Sequence, residues 1–438
     1  MTKTGLFLFA LCSAILQAQQ LAPAPKTHIT DITAKPGFFN EPAIAVNPAD
    51  PQHLVVAWQI NASAAYSRDG GHTWVIAEGT APKDYRVSGD VSLAYDASGA
   101  ALLCYIAFDK LGTNNYWAHG ATRNGIFVRR SADGGKTWDP EPSTVISHDS
   151  TPGIPFEDKP WIVTDTGSSA HRGNIYVGWT QFTLSESHLL FSRSSDGGKD
   201  WSTPLRLSSV PGLPRDDNGA LEGFHGVVAP DGALYTIWAN RDGIAMAVSR
   251  DGGKTFTKDR RIIAAGPSYF GITGVSRSNG FPQIGIEPKS GKLYVAWSDY
   301  SNGDVDAFIA YSTDRGGTWS APVRVNNDSI HNGADQFFQW MAVDPVSGAV
   351  NLVFYDRRPD NRLTGVTLAR STDGGTSFAN YAFDRELFEA EGDFLGDYLA
   401  ITAFGNKTFA AWAHEVPEET KADRAKTRTV LRVGSAEF

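Results

Sequence analysis

Ser67-Arg68-Asp69-Gly70-Gly71-His72-Thr73-Trp74 decides the fold, because it recurs. The pattern returns at 131–138, 194–201, 249–256, 312–319 and 371–378, each time as Ser, any, Asp, any, Gly, any, any, aromatic. Each part has a reason at the level of one turn. The Asp carboxylate accepts hydrogen bonds from the turn's own N–H groups. The glycine supplies a positive φ that other residues resist. The aromatic plugs an apolar gap beneath the turn. These carboxylates therefore read as turn locks rather than catalysts.

A second pattern alternates with the first: an apolar strand, a hairpin turn, and a strand ending in an aromatic. It occupies 42–58, 91–108, 160–179, 227–238, 282–297, 338–355 and 398–412. Connectors such as Pro230-Asp231-Gly232 and Asp96-Ala97-Ser98-Gly99 are hairpin turns. The spacing between copies fits one four-stranded propeller blade with its loops. The expected fold is all-β: a single β-propeller of four-stranded antiparallel blades with box turns, seven blades leading and six the runner-up. Seven hairpins and six boxes agree if the last blade lacks a box. Its third strand is then 429–433, and the N-terminal 27–33 pairs beside it as the fourth. Such a closure removes an exposed sheet edge.

Composition agrees. The 438 residues include 44 glycines, 24 Phe, 14 Tyr and 12 Trp, as expected of a β-rich protein with many turns. A net charge of −9 argues against nucleic acid, whose phosphates need a basic surface. Residues 1–18 read as a secretory signal peptide, with Lys3 ahead of an apolar core and Ala18 at a cleavage point. The propeller domain is then 27–438, secreted or periplasmic, with no later apolar run of membrane-spanning length. Without the leader, Cys104 is the one cysteine left, and its apolar neighbours place it in the core.

The boxes resemble the Asp-box (BNR) repeats of the sialidase superfamily, whose members are propellers. The resemblance runs over nearly all of 27–438. It implies a glycan-active enzyme with an arginine triad, a tyrosine nucleophile paired with a glutamate, and an aspartate acid/base. Glu222 before one inner strand and Arg241 after the next strand are similar to that pattern in spacing and order. Tyr398 stands where the resemblance puts the nucleophile, at the last inner strand. Two positions depart from it. Asn40-Glu41-Pro42 replaces Arg-Ile-Pro, so a carboxylate stands where an arginine of the triad belongs. Residues 59–66 hold no aspartate.

Antiparallel blades put residues before inner strands and after second strands on one face. That face gathers Glu41, Asp90, Asp158, Lys159, Glu222 and His225 from the first set, and Arg241, Asp356 and Arg357 from the second. The catalytic candidates are Glu222, Tyr398, Arg241, Asp356 and Arg357. The substrate-binding candidates are Glu41, Asp90, Asp158, His225 and Trp117, the last on a long loop able to stack on a sugar ring. The leading function is a glycoside hydrolase of sialidase-like kind acting on a carbohydrate as a monomer. The alternatives are a uronate-specific polysaccharide lyase, in which His225 or Tyr398 takes a proton, and a non-catalytic glycan- or protein-binding propeller. No cofactor is required; converging carboxylates admit a structural calcium ion. No zinc-type His/Cys cluster stands in the sequence.

Overall fold

The computed structural model describes residues 21–110, 121–149, 155–390, 394–416 and 428–438. The leader at 1–18 and Trp117 lie outside the described residues. All regular elements among the described residues are strands, arranged as seven four-stranded antiparallel sheets plus one small hairpin. These are the seven blades of a propeller; the six-bladed alternative is excluded. Among the described residues, no helix is long and apolar enough to cross a membrane.

The inner strands are Ala43–Val46, Val87–Tyr95, Phe156–Thr164, Glu222–Val228, Gln283–Glu287, Gln336–Val343 and Ala400–Phe404. From each, the chain steps outward by hairpins, as in Val87–Tyr95, Ala101–Phe108, Arg123–Ser131 and Ser143–Asp149. The last blade closes the ring. Its order from the axis is Ala400–Phe404, Lys407–Glu415, Thr429–Glu437 and then His28–Asp31 from the N-terminus. His28 pairs with Ser435 and Asp31 with Arg432. This is the closure anticipated from the missing seventh box.

Hydrophobic clusters sit between neighbouring blades. Val55, Ala57 and Ala64 of the first blade pack with Leu103, Tyr105 and Phe127 of the second. Leu54, Val56 and Trp58 pack on Phe409, Ala411 and Leu431 across the closure. Cys104 belongs to such a cluster, and burial pushes its thiol up, away from reactivity.

The six boxes repeat one hydrogen-bond scheme. Ser67 Oγ donates to Asp69 Oδ1 at 2.8 Å and accepts from Gly71 N at 2.9 Å. Asp69 Oδ1 accepts from His72 N and Thr73 N. Burial pushes the Asp69 carboxyl up, but these bonds and those from the Thr73 and Ser67 hydroxyls together outweigh it and hold it down at about 2. The Ser-to-Gly bond recurs at Gly135, Gly198, Gly253, Gly316 and Gly375, at 2.8–2.9 Å. Each box aromatic joins an inter-blade cluster, as Trp138 and Trp201 do. The boxes and the inner-strand entries lie at opposite ends of the blades, which leaves the latter face for chemistry.

Candidate active site

The entries to the inner strands are irregular in a repeated way. Strand register slips between Gly89 and Ser92, between Asp158 and Trp161, and between Glu222 and His225. These bulges hold Asp90 at φ 45° and Lys159 at φ 49°, while Glu41 ahead of the first inner strand has φ 49°. A left-handed backbone is costly for side chains of this kind and is found where structure over-determines it, often at functional sites. The result is to turn charged side chains toward one cavity of about 430 Å³, lined by Glu41, Asp90, Asp158, Lys159, Asp216, Arg277 and Asp397 among others.

Asp397 is the electrostatic centre. Arg277 Nε donates to its Oδ1 at 2.9 Å, Lys159 Nζ to its Oδ2 at 2.7 Å, and Asn279 Nδ2 to its backbone carbonyl at 3.0 Å. Burial alone would raise the Asp397 carboxyl, but Arg277 and Lys159 outweigh it and hold it below its ordinary value. Glu41 lies alongside. A Cβ on Gly396 would stand 2.8 Å from Glu41 Cγ, so only glycine lets the chain before Asp397 run against Glu41. Burial, then Asp90 and Asp397, push the Glu41 carboxyl well above its ordinary value, against Lys159 and Arg277. Asp158 is raised likewise, by burial and by Asp90, whose carboxyl it hydrogen-bonds.

Behind the cavity wall, Tyr269 of the Tyr269–Phe270 strand donates to Glu222 Oε2 at 2.6 Å and also contacts Asp216. Arg277 bridges Asp216 and Asp397. Asp158, Asp216 and Glu222 each offer an oxygen within 4.8 Å of the others, a cluster able to hold a metal ion.

The structure brings together Glu41, Asp90 and Asp158 on the cavity and Glu222 just behind it. It does not form the expected pair of Glu222 with Tyr398. The Tyr398 hydroxyl donates to the Val91 carbonyl at 3.3 Å, and the ring packs 5.4 Å from that of Trp340. Burial, with Glu41 and Asp90 beside it, pushes this phenol further up. Arg241 sits exposed in the turn after Leu234–Asn240, away from the cavity lining. Asp356 and Arg357 also stand apart from that lining. Asp356 is ion-paired with Arg358 at 2.6 Å, and Arg357 donates to the Thr273 carbonyl at 2.6 Å. His225 is packed against Trp161, ring centres 5.0 Å apart, and burial lowers it to about 3, so it stays neutral.

Sequence reasoning missed Asp397, Asp216 and Tyr269, and it gave Arg277 no role. Asp216 precedes the inner strand of the fourth blade within a long connection. Tyr269 begins the first strand of a hairpin inserted before the fifth blade, and Arg277 stands in its connection just before the second strand. Both insertions break the blade repeat, and that excess length was the available signal.

The BNR/Asp-box repeat model matches residues 310–321, the fifth box. A curated sialidase of Bacteroides fragilis (strain YCH46) is 27% identical over 209 residues, 42% of this chain; the match spans 36% of that relative's length. Among solved structures, a Hadza microbial sialidase is similar with a TM-score of 0.49 at 16% identity, covering 88% of this chain and 73% of its own. A PL25 polysaccharide lyase, an ulvan lyase, gives a TM-score of 0.49 at 11% identity, covering 88% and 93%. The chain thus carries six Asp-boxes on a closed seven-bladed β-propeller, one of them matched by the BNR/Asp-box repeat model, and over part of its length it is similar to a curated sialidase.

Proposed function

We propose that this protein hydrolyses glycosidic bonds, with Glu41 as proton donor and Asp397 as the ionised partner. The observation that carries the reading is the divergence of two carboxyls on one cavity: Glu41 raised, Asp397 lowered. Carboxyls pushed apart in this way are the usual mark of an acid and a base. Glu41 protonates the leaving oxygen. Asp397, fixed by Lys159 and Arg277, faces the positive charge that grows on the sugar ring and takes the proton of the water that adds to the anomeric carbon as the glycosidic bond breaks.

The charge of the cavity supports a neutral sugar over an anionic one. Among the described residues lining it, the cations are Lys159 and Arg277, and both are already bonded to Asp397. A substrate carboxylate would have to displace Asp397 to reach either. The surplus of carboxyls instead favours an oxocarbenium-like transition state. The same facts weigh against the uronate-lyase reading, whose bases, His225 and Tyr398, are neutral and packed among aromatic rings. The proposal includes export through the 1–18 leader and action as a monomer on extracellular or periplasmic glycan. A panel of neutral fluorogenic glycosides tests it: turnover lost in Glu41→Gln supports the assignment, and turnover of sialosides or uronates alone opposes it.

A further inference from the structure

We infer that Asp158, Asp216 and Glu222 form a calcium site beside the Glu41–Asp397 pair. Three observations lead there. The first is spacing. One oxygen from each residue lies within 4.8 Å of the other two. Ligands 2.3–2.6 Å from a shared calcium ion stand at most about 5 Å apart across it, whereas a magnesium shell allows only about 4.2 Å. The three oxygens thus lie within the reach of one calcium shell.

The second is an unsatisfied atom. Glu222 is 1% exposed, and while its Oε2 accepts from Tyr269, its Oε1 is buried with no hydrogen-bond partner. A buried carboxylate oxygen without a donor is costly, and native structures seldom leave one. An ion held by the cluster supplies what the oxygen lacks.

The third is a shortage of positive charge and of hydrogens. Glu41, Asp90, Asp158, Asp216, Glu222 and Asp397 converge here against Lys159 and Arg277. The Tyr269 hydroxyl has one hydrogen, yet it contacts a carboxylate oxygen of both Glu222 and Asp216. One of those contacts lacks a hydrogen unless a proton or a cation intervenes. A divalent ion removes the deficit at Asp158, Asp216 and Glu222 together. Its site draws on three segments: the start of the third blade, the connection after it, and the start of the fourth. Calcium would therefore tie these segments together and fix Asp216, and through it Arg277 and Asp397. This places the ion outside the proton-donor pair, so the site stands or falls independently of the hydrolase reading.

The test is calorimetric titration of the chelator-treated full chain with calcium chloride and with magnesium chloride, alongside thermal unfolding. One calcium per chain is expected, bound at least about tenfold more tightly than magnesium, with a melting point that rises with calcium concentration. Asp216→Asn and the isosteric Glu222→Gln should each weaken binding by about tenfold or more. Using both guards against one variant failing to fold, which circular dichroism reports. Absence of calcium binding overturns the inference. So does equal affinity for magnesium, or a calcium affinity unchanged in both variants, which would put the ion elsewhere on the propeller.

Discussion

Glu222 bonds the hydroxyl of Tyr269, at 2.6 Å, while the hydroxyl of Tyr398 is spent on the carbonyl of Val91 at 3.3 Å. Two tyrosines that look interchangeable on paper therefore have different consequences. Tyr398→Phe removes one weak bond from a ring that stays packed on Trp340. It should cost no more than about 1 kcal/mol and leave turnover nearly intact. Tyr269→Phe strips the hydroxyl shared by the buried Glu222 and the half-buried Asp216 and should cost about 1–3 kcal/mol. Chemical unfolding of both variants, read with turnover, checks the contrast.

Asp397→Asn should be the most damaging single change on the cavity. It leaves Lys159 and part of Arg277 without their counter-charge, and breaking a buried ion pair in this way costs roughly 3–5 kcal/mol. The lowered Asp397 carboxyl adds stability above its ordinary value of 3.8, and that share is lost as pH falls through its folded value. The variant should therefore lose stability at neutral pH and lie nearer the wild type in acid. A loss of equal size at pH 3 and pH 7 would contradict this.

Glu41 has the opposite sign. Its raised carboxyl binds its proton more tightly in the folded chain than in the unfolded one. Its contribution is fully present below the ordinary glutamate value of 4.5 and declines as pH climbs toward the folded value. Glu41→Gln should therefore melt higher than the wild type at alkaline pH, and match it more closely near pH 4. Melting curves across that range read the difference directly.

Asp133→Ala removes the acceptor of Ser131 Oγ and Thr137 N in the second box. It should cost about 1–2 kcal/mol and leave the chemistry unchanged, because the boxes lie on the far face. A loss of turnover without a fall in melting point would contradict the turn-lock role.

The fold was legible because its signals are local and repeated. Ser67, Asp69 and Gly71 carry their turn within eight residues, six times over, and even the closing strand at 27–33 followed from the missing seventh box. Glu41, Asp90 and Asp158 were legible too, since blade topology alone puts residues before inner strands on one face. The pairings were not. Whether Glu222 meets Tyr269 or Tyr398 depends on how far an inserted hairpin reaches over the ring. Arg241 and Arg277 differ in sequence only by their neighbours, yet one ends in a solvent-exposed turn and the other on Asp397. Such outcomes are set by tertiary geometry that no spacing rule encodes.

The central claim, that Glu41 delivers a proton to a glycosidic oxygen, is tested most directly by leaving-group dependence in Glu41→Gln. The substrates are aryl glycosides of whichever neutral sugar the wild type hydrolyses. The account predicts a loss of roughly a hundredfold or more for poor leaving groups, with near-normal turnover of dinitrophenyl glycosides, which need no proton. Equal turnover by variant and wild type across all leaving groups would contradict it.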